Sequence, residues 1–366
     1  MTESFIPPAK PIIGDDERAA VDRVLRSGMV AQGPEVAAFE REFAEVLVDG
    51  RESVAVNSGT SGLHLGLLAA GIGPGDEVIV PSFTFAATAN SVALTGATPV
   101  FADIEPDQFT LDPASVEAAV TERTKAIMPV HLYGHPAHMA ELQAVADRHG
   151  LALFEDAAQA HGASLGGRKV GTFGRFAMFS LYPTKNMTSG EGGMVSCETP
   201  EMVRNVKLLR NQGMEAQYQN EVVGFNARMT DIHAAIGRVQ LTKVGAWTET
   251  RRANAAFFDR ELRGVVVPPV ADGAVHVYHQ YTVRVPEDRD GFVAALKNEH
   301  AVGSGVYYPV PNHRLASLER FAPGLHLAET ERAAGEVVSL PVHPSLSGAD
   351  LERIVAAVNA VAGAGA

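Results

Sequence analysis

Three short segments of the sequence carry side chains suited to chemistry, and the first is the small-residue run SGTSG at Ser58–Gly62. This run follows the β-rich stretch SVAVN and precedes an apolar helical pattern. Small residues allow a backbone to approach a ligand closely, and a helix that begins there presents free N–H groups to an anion. The run therefore predicts a phosphate-binding turn, although a tight connection between strand and helix would have the same composition.

The second segment is LALFEDAAQAHG, in which Asp156 comes directly after an apolar strand. The carboxyl ends of strands in an open α/β sheet form the edge where ligands bind. A carboxylate there needs a cationic partner, and a heteroaromatic ring that carries a proton on its nitrogen would supply one. Gln159, three residues later, could face the same ring. Asp156 could equally cap the following turn.

The third segment, FSLYPTKNMTSGEGGMVS, places Lys185 five residues after Ser180, in a turn between two β-rich runs. A lysine in a loop is most often a solvated charge. Between an anion-compatible serine and a glycine-rich return strand, Lys185 could instead have a lowered pKa and form a Schiff base. In chain order the three segments match a pyridoxal phosphate site, with a phosphate turn, a ring-nitrogen carboxylate and a Schiff-base lysine.

Alternating strand and helix patterns position these segments between residue 53 and about residue 197. Such alternation predicts a mostly parallel sheet that helices cover on both faces. Asp112-Pro113 predicts the start of one helix, and Gly150 predicts the end of another. The sequence therefore predicts an α/β architecture with its ligand site at the carboxyl edge of the sheet.

A long amphipathic helix is predicted from about Thr230 to Leu262, although Gly237 and Gly245 weaken the pattern. Strand and helix patterns after it indicate a smaller α+β unit. We therefore place the domain boundary inside this helix, with a large α/β domain over 1–245 and a small C-terminal domain over 246–366.

The composition excludes several classes of protein. The chain has 366 residues, of which 46% are hydrophobic and 20% are charged, as in ordinary globular proteins. A net charge of −13 opposes nucleic-acid binding, and no apolar run approaches the roughly 20 residues of a membrane span. The single cysteine, Cys197, has no disulfide partner within the chain. We expect a soluble cytoplasmic protein without nucleic-acid or membrane partners.

Two other kinds of site are not predicted. The GxGxxG turn of a dinucleotide-binding fold is missing after the first strand. The histidines of VHLYGHPAH, His131, His135 and His138, could suggest a metal site. Turn residues between them disrupt a helical ligand face, and no carboxylate completes the set. We expect no metal ion.

Several motifs together resemble the DegT/DnrJ/EryC1/StrS family of sugar aminotransferases. They are SGTSGLHL, PSFTFAATAN, EDAAQAHGA, FSLYPTKNMTSGEGGMV, GFNARM and HVYHQY. The resemblance covers nearly the whole chain. It implies the aspartate aminotransferase fold, fold type I, with pyridoxal 5'-phosphate as cofactor. It also implies a homodimer with active sites at the subunit interface.

The resemblance also implies roles for individual residues. Lys185 would form the Schiff base with the cofactor, and Asp156 would bind its pyridine nitrogen. Gln159 would face the ring near its phenolic oxygen, and Phe85 would stack on the ring. The phosphate would be held by Gly59, Thr60 and Ser180, and by Asn226 of the partner subunit. The residues that would face the sugar or glutamate are Arg228, Tyr308 and His313.

The activity implied is transfer of an amino group from glutamate, or glutamine, to a keto group on a nucleotide-linked deoxysugar. The run TSGEGGMV resembles members that act on a 4-keto-6-deoxyhexose, whereas members acting at position 3 tend to show a GDGGAV-like run. A keto-cyclitol such as scyllo-inosose is an alternative acceptor, and a noncatalytic sugar sensor is an alternative of another class. Some members are dehydratases in which histidine replaces the lysine, and Lys185 argues against that chemistry.

Overall fold

A computed structural model describes residues 4–285 and 287–364 of the chain. The helices are α1 (Asp15–Ser27), α2 (Pro34–Leu47), α3 (Gly59–Ala69), α4 (Ala87–Leu94), α5 (Pro113–Ala119), α6 (Met139–His149), α7 (Pro200–Arg210), α8 (Asp231–Glu261), α9 (Arg289–His300), α10 (Ala328–Glu336) and α11 (Gly348–Ala364). Short 3-10 turns lie at Leu132–Gly134, Asn312–Arg314 and Glu319–Phe321.

The strands are β1 (Ser53–Val56), β2 (Glu77–Pro81), β3 (Thr98–Ala102), β4 (Thr124–Ile127), β5 (Ala152–Leu153), β6 (Glu155–Asp156), β7 (Ser164–Leu165), β8 (Arg168–Lys169), β9 (Phe176–Ser180), β10 (Gly193–Cys197), β11 (Met214–Ala216), β12 (Gln219–Asn220), β13 (Ala274–Val275), β14 (Tyr281–Arg284) and β15 (Val337–Leu340).

The central sheet has two sections, ordered β1-β10-β9-β6 and β3-β2-β4-β5. The sections join because β5 and β6 follow each other: Phe154 N donates to Ile127 O, and Asp156 N donates to Pro129 O. Within these sections β10 pairs antiparallel with both neighbours, and the other pairs are parallel. A loop without a crossover helix links β9 to β10, which requires the antiparallel return. The predicted mostly parallel α/β sheet is confirmed.

Alternation along β9 covers both faces of this sheet. Phe176 and Met178 pack on one face, and Ala177 and Phe179 pack on the other. The first face is covered by α3 and α7, and the second by α2 and α8. Because both faces are buried, the strand ends at the carboxyl edge are where a ligand can reach the sheet.

The structure confirms two helix boundaries that were predicted from the sequence. The side chain of Asp112 accepts from Ala114 N and Ser115 N at the start of α5. Gly150 ends α6 with φ +65°, a left-handed conformation that glycine adopts readily. These two boundaries follow from local chemistry alone.

The long helix predicted after Thr230 is confirmed as α8, which runs unbroken through both glycines. Thr230 caps it by accepting from His233 N. A Cβ at Gly237 would lie 2.6 Å from Phe39 Cζ, so the glycine permits α8 and α2 to pack closely. Beyond α8, a C-terminal cluster includes Phe258, Tyr281 and Ile354, together with Ile6. The domain division at 245/246 stays a prediction.

Within the described residues, no helix is both long enough and apolar enough to cross a membrane.

Candidate active site

A cavity of about 420 Å³ opens at the carboxyl edge of the sheet. It brings together most of the site residues predicted from the sequence. These are Gly59, Thr60, Phe85, Asp156, Gln159, Ser180, Lys185 and Tyr308. They come from β6, β9, the start of α3, loops that follow strands, and, for Tyr308, the segment between α9 and the 3-10 turn at Asn312–Arg314. Separate segments of the chain therefore converge on one space.

One end of the cavity is suited to an anion. Ser58 caps α3 by accepting from Ser61 N at 3.1 Å, and Gly59 and Thr60 at the start of the helix line the cavity. The first N–H groups of a helix have no intrahelical acceptor and carry positive partial charge. A Cβ at Gly59 would lie 3.2 Å from Ser180 Cβ. Glycine therefore keeps open the space between the helix start and Ser180.

Asp156 lies at the end of β6 and is 3% exposed. Its Oδ2 accepts from Thr88 Oγ1 at 2.7 Å, and its Oδ1 accepts from Ala158 N at 3.1 Å. Burial raises the pKa of Asp156, while these hydrogen bonds and the charge of Lys185 favour the ionised form. A cationic ring nitrogen in the cavity would further stabilise the negative charge of this buried carboxylate.

Lys185 is half-buried in the loop after β9, where its backbone N donates to Tyr182 O at 3.0 Å. Burial lowers the pKa of Lys185 to about 8, against the opposing effect of the Asp156 charge. A lysine with this pKa supplies a substantial fraction of neutral amine near neutral pH. It is therefore suited both to Schiff-base formation and to proton transfer.

The amide of Gln159 is held at both ends. Its Oε1 accepts from Tyr133 N at 2.7 Å, and its Nε2 donates to the Tyr308 hydroxyl at 2.8 Å. Tyr308 has φ +61°, a left-handed conformation that is uncommon outside glycine.

Phe85 is 63% exposed although it lines the cavity. Its ring therefore offers an uncovered apolar face to a planar ligand.

Three predicted residues do not line this cavity. Asn226 is exposed, on a segment that pairs with Asn211. Arg228 donates to Asn211 Oδ1 at 3.0 Å. His313 is 1% exposed, and its ring nitrogens lie 2.7 Å from Ser82 Oγ and 3.0 Å from Glu331 Oε1. The assignment of Asn226 to a partner's phosphate stays a prediction, as do the substrate roles of Arg228 and His313.

Several residues of the site were missed by sequence reasoning. The missed lining residues include Thr84, Tyr182, Glu191, His279, Gln280 and Tyr307. Thr88 was also missed, although it stands in the quoted motif PSFTFAATAN. Its position in the first turn of the helix after β2 was the available signal, because that turn lies at the same edge of the sheet as Asp156.

The cavity fits pyridoxal 5'-phosphate. A helix start and Ser180 suit the phosphate, Asp156 suits a protonated ring nitrogen, and Lys185 suits the aldehyde. Metal binding is a different matter. Within the described ranges, no group of three or more histidine, cysteine, aspartate or glutamate side chains could hold a metal ion. His131 instead lies 3.1 Å from Glu155 Oε2.

Comparisons with known proteins agree with this geometry. The model of the DegT/DnrJ/EryC1/StrS aminotransferase family matches residues 11–359. A dTDP-3-amino-3,4,6-trideoxy-alpha-D-glucose transaminase of Streptomyces venezuelae is 43% identical over 345 residues, 93% of this chain and 90% of that one. A pleiotropic regulatory protein of Geobacillus stearothermophilus is 44% identical over 344 residues, 92% of this chain and 91% of that one.

Solved structures extend the similarity to the fold and the cofactor. The structure of S. venezuelae DesV in complex with a ketimine intermediate has a TM-score of 0.92 and 40% identity, covering 98% of this chain and 99% of that one. Other solved relatives carry pyridoxal or pyridoxamine phosphate. The fold is therefore fold type I, as predicted. The chain belongs to the DegT/DnrJ/EryC1/StrS aminotransferase family and is a pyridoxal phosphate-dependent aminotransferase.

Proposed function

We propose that this aminotransferase moves an amino group from glutamate to the keto group of a nucleotide-linked deoxysugar. The observation that carries the proposal is the convergence of Lys185 and Asp156 on one cavity, beside an anion-binding helix start. The acceptor class rests on the S. venezuelae relative, whose name specifies a dTDP-linked amino sugar.

The chain's own residues divide the work of proton transfer. Pyridoxal phosphate, when bound, supplies an electron-accepting ring. Lys185 Nζ, as a neutral amine, takes the proton from the α-carbon of glutamate, and in the second half-reaction it delivers a proton to the former keto carbon of the sugar. Asp156 keeps the proton on the ring nitrogen. The two half-reactions share one cavity, so ping-pong kinetics are expected.

The position of amination separates two candidate acceptors. The run TSGEGGMV favours a 4-keto-6-deoxyhexose, whereas the S. venezuelae relative is named for an amino group at carbon 3. Because that similarity covers 93% of the chain, we propose the 3-keto sugar first and the 4-keto sugar as its competitor. A keto-cyclitol such as scyllo-inosose remains the third acceptor to test.

The working unit proposed here is a homodimer in which each cavity is completed by the partner subunit's Asn226. Asn226 is exposed, and Phe225 beside it is 40% exposed. Tyr182, at the cavity, is 48% exposed. Contact with a second copy would cover these side chains. A cytoplasmic location also stays a prediction.

One experiment tests donor and acceptor separately. The purified protein is converted with glutamate or glutamine, and the loss of the pyridoxal absorbance is followed. The resulting pyridoxamine form is then offered 3-keto and 4-keto nucleotide sugars and scyllo-inosose. Return of the absorbance and the product mass identify the acceptor. Failure of glutamate to convert the protein would refute the donor assignment, and conversion by glutamine alone would identify glutamine as the donor. A response to scyllo-inosose alone would refute the nucleotide-sugar assignment.

A further inference from the structure

Thr88 contacts the carboxylate of Asp156 from a different element of the fold. It lies in the first turn of α4, is 1% exposed, and its Oγ1 donates to Asp156 Oδ2 at 2.7 Å. Threonine is branched at Cβ, which restricts its χ1 rotation. Ser91 Oγ donates to Thr88 O at 2.8 Å, inside the same helix. Burial, the branched side chain and the helical backbone together restrict the position of the donor.

The two oxygens of Asp156 are fixed from two directions. Ala158 N, in the loop after β6, donates to Oδ1, while Thr88 in α4 donates to Oδ2. A carboxylate oxygen can accept about two hydrogen bonds, so each oxygen keeps capacity for a ligand. The pair of contacts determines the plane of the carboxylate and leaves it able to bind a ring N–H.

Titratable groups on three other segments of the chain interact with Asp156. Lys185 after β9 and His131 after β4 favour its ionised form, and Tyr308 lies close enough for the Asp156 charge to raise the tyrosine pKa. Burial opposes ionisation of Asp156. Thr88 differs from these groups because its hydroxyl is neutral. Its hydrogen bond therefore favours the carboxylate form of Asp156 whatever the protonation state of Lys185.

We propose that Thr88 is a positioning residue that orients Asp156 toward the cofactor ring nitrogen and keeps it ionised. This inference rests on the proposed role of Asp156 in the aminotransferase. It adds a residue of the chain that acts through Asp156 and does not need to touch the substrate.

The test uses Thr88→Val, which keeps the shape of the side chain and removes the donor, and Thr88→Ser, which restores it. Thr95→Val is the matched control, because Thr95 is also buried but donates to Val92 O just after α4. The glutamate half-reaction is measured across a range of pH. We expect Thr88→Val to slow it at least about tenfold and Thr88→Ser to stay close to wild type, since a hydrogen bond to a charged group has that effect.

The direction of the pH effect separates positioning from packing. Loss of a donor to the charged form raises the pKa of the carboxylate, so the acid limb of the rate profile should move to higher pH in Thr88→Val. Titration of the apo-protein with pyridoxal phosphate should also show weaker binding in Thr88→Val, and the melting temperature of each variant reports folding. An unmoved acid limb, or a Thr88→Ser variant as slow as Thr88→Val, would overturn the inference.

Asp156→Asn and the double variant distinguish the possible failures. If Thr88 acts through Asp156, adding Thr88→Val to Asp156→Asn should cause little further loss of rate. Independent, multiplied losses would show that Thr88 acts elsewhere. A normal rate in Asp156→Asn would refute the role of Asp156 itself, whereas a slow Asp156→Asn beside a normal Thr88→Val would refute only the role of Thr88.

Discussion

The carboxylates of Glu155 and Asp156 lie on opposite sides of β6, although the residues are adjacent in the chain. Glu155 accepts from the backbone N of Gly171, Phe173 and Gly174, and lies beside His131. Asp156 instead contacts Thr88 and lines the cavity. Adjacent residues of a strand point to opposite faces. The carboxylate of Glu155 is therefore buried among backbone donors, whereas that of Asp156 faces the ligand cavity.

Glu155→Gln is expected to destabilise the fold. Burial alone would raise the pKa of Glu155, but His131 and the backbone N–H groups outweigh it and hold the pKa below its usual value. A glutamine amide N–H would face one of those donors. We expect a loss of about 3–5 kcal/mol in the free energy of unfolding, measured by urea denaturation. Glu198→Gln, at an exposed glutamate after β10, should change it by less than about 0.5 kcal/mol.

The same carboxylate predicts a pH dependence of that difference. A group with a depressed pKa in the folded state contributes stability above its unfolded pKa and loses it as pH falls through the folded pKa. The gap between wild type and Glu155→Gln should therefore be full above about pH 4.5 and shrink at lower pH. A gap that widened in acid would contradict the assignment of Glu155 as an ionised acceptor.

Lys185→Ala should abolish turnover and leave the fold intact. Removal of the amine eliminates both the Schiff base and the proton shuttle, so we expect a loss of at least about 10³-fold. Turnover is measured with the amino donor but without other small primary amines, which could replace the missing lysine amine. Circular dichroism reports the fold. Lys169→Ala is the control, because Lys169 pairs with Asp49 2.8 Å away and does not line the cavity. Near-normal turnover of Lys185→Ala would refute the whole assignment.

The lowered pKa of Lys185 can be observed in the apo-protein. Only the neutral amine attacks an aldehyde, so the initial rate of Schiff-base formation with added pyridoxal phosphate should rise as pH increases through about 8. Stopped-flow absorbance measures this rate. A midpoint near the ordinary lysine value of 10.5 would show that the lysine is solvated.

Asp156→Asn preserves the shape of the side chain and removes its charge. The ring nitrogen would no longer be kept protonated, so abstraction of the α-proton should slow by on the order of a hundredfold or more. Bound cofactor should remain detectable by its absorbance. Stopped-flow measurement of the glutamate half-reaction tests this expectation. A rate close to wild type would mean that Asp156 is only a cap of the following turn.

Mixed dimers test the proposed exchange of Asn226 between subunits. The Lys185→Ala homodimer should be nearly inactive because it lacks the amine. The Asn226→Asp homodimer should be nearly inactive because an aspartate would repel the phosphate. In a mixed dimer one site collects both defects and the other is intact. Random reassortment makes about half of the dimers mixed, so refolding the chains together should restore roughly a quarter of wild-type activity. No recovery in demonstrated heterodimers would place Asn226 in its own subunit's site.

Local patterns predicted the elements well, and long-range contacts were not predictable. The signals at Asp112-Pro113 and Gly150 match the start of α5 and the end of α6, because those limits depend on neighbouring cap and turn residues. The order of the motifs along the chain also predicted that Lys185 and Asp156 belong to one site, and both line the cavity. The contact between Thr88 and Asp156 depends on how α4 packs over the edge of the sheet, which no local pattern encodes.

Packing of Ile6 in the C-terminal cluster has a consequence for biosynthesis. The same cluster includes Ile354 and Val358 of α11, and Ile6 also pairs with Val302. A ribosome needs roughly 20–70 s to travel from the first of these residues to the last. During that interval the amino-terminal strand segment has no native partner and the apolar side of the nascent cluster is open. A chaperone that holds emerging chains should therefore raise the yield of this protein most when translation is slow or the temperature is high.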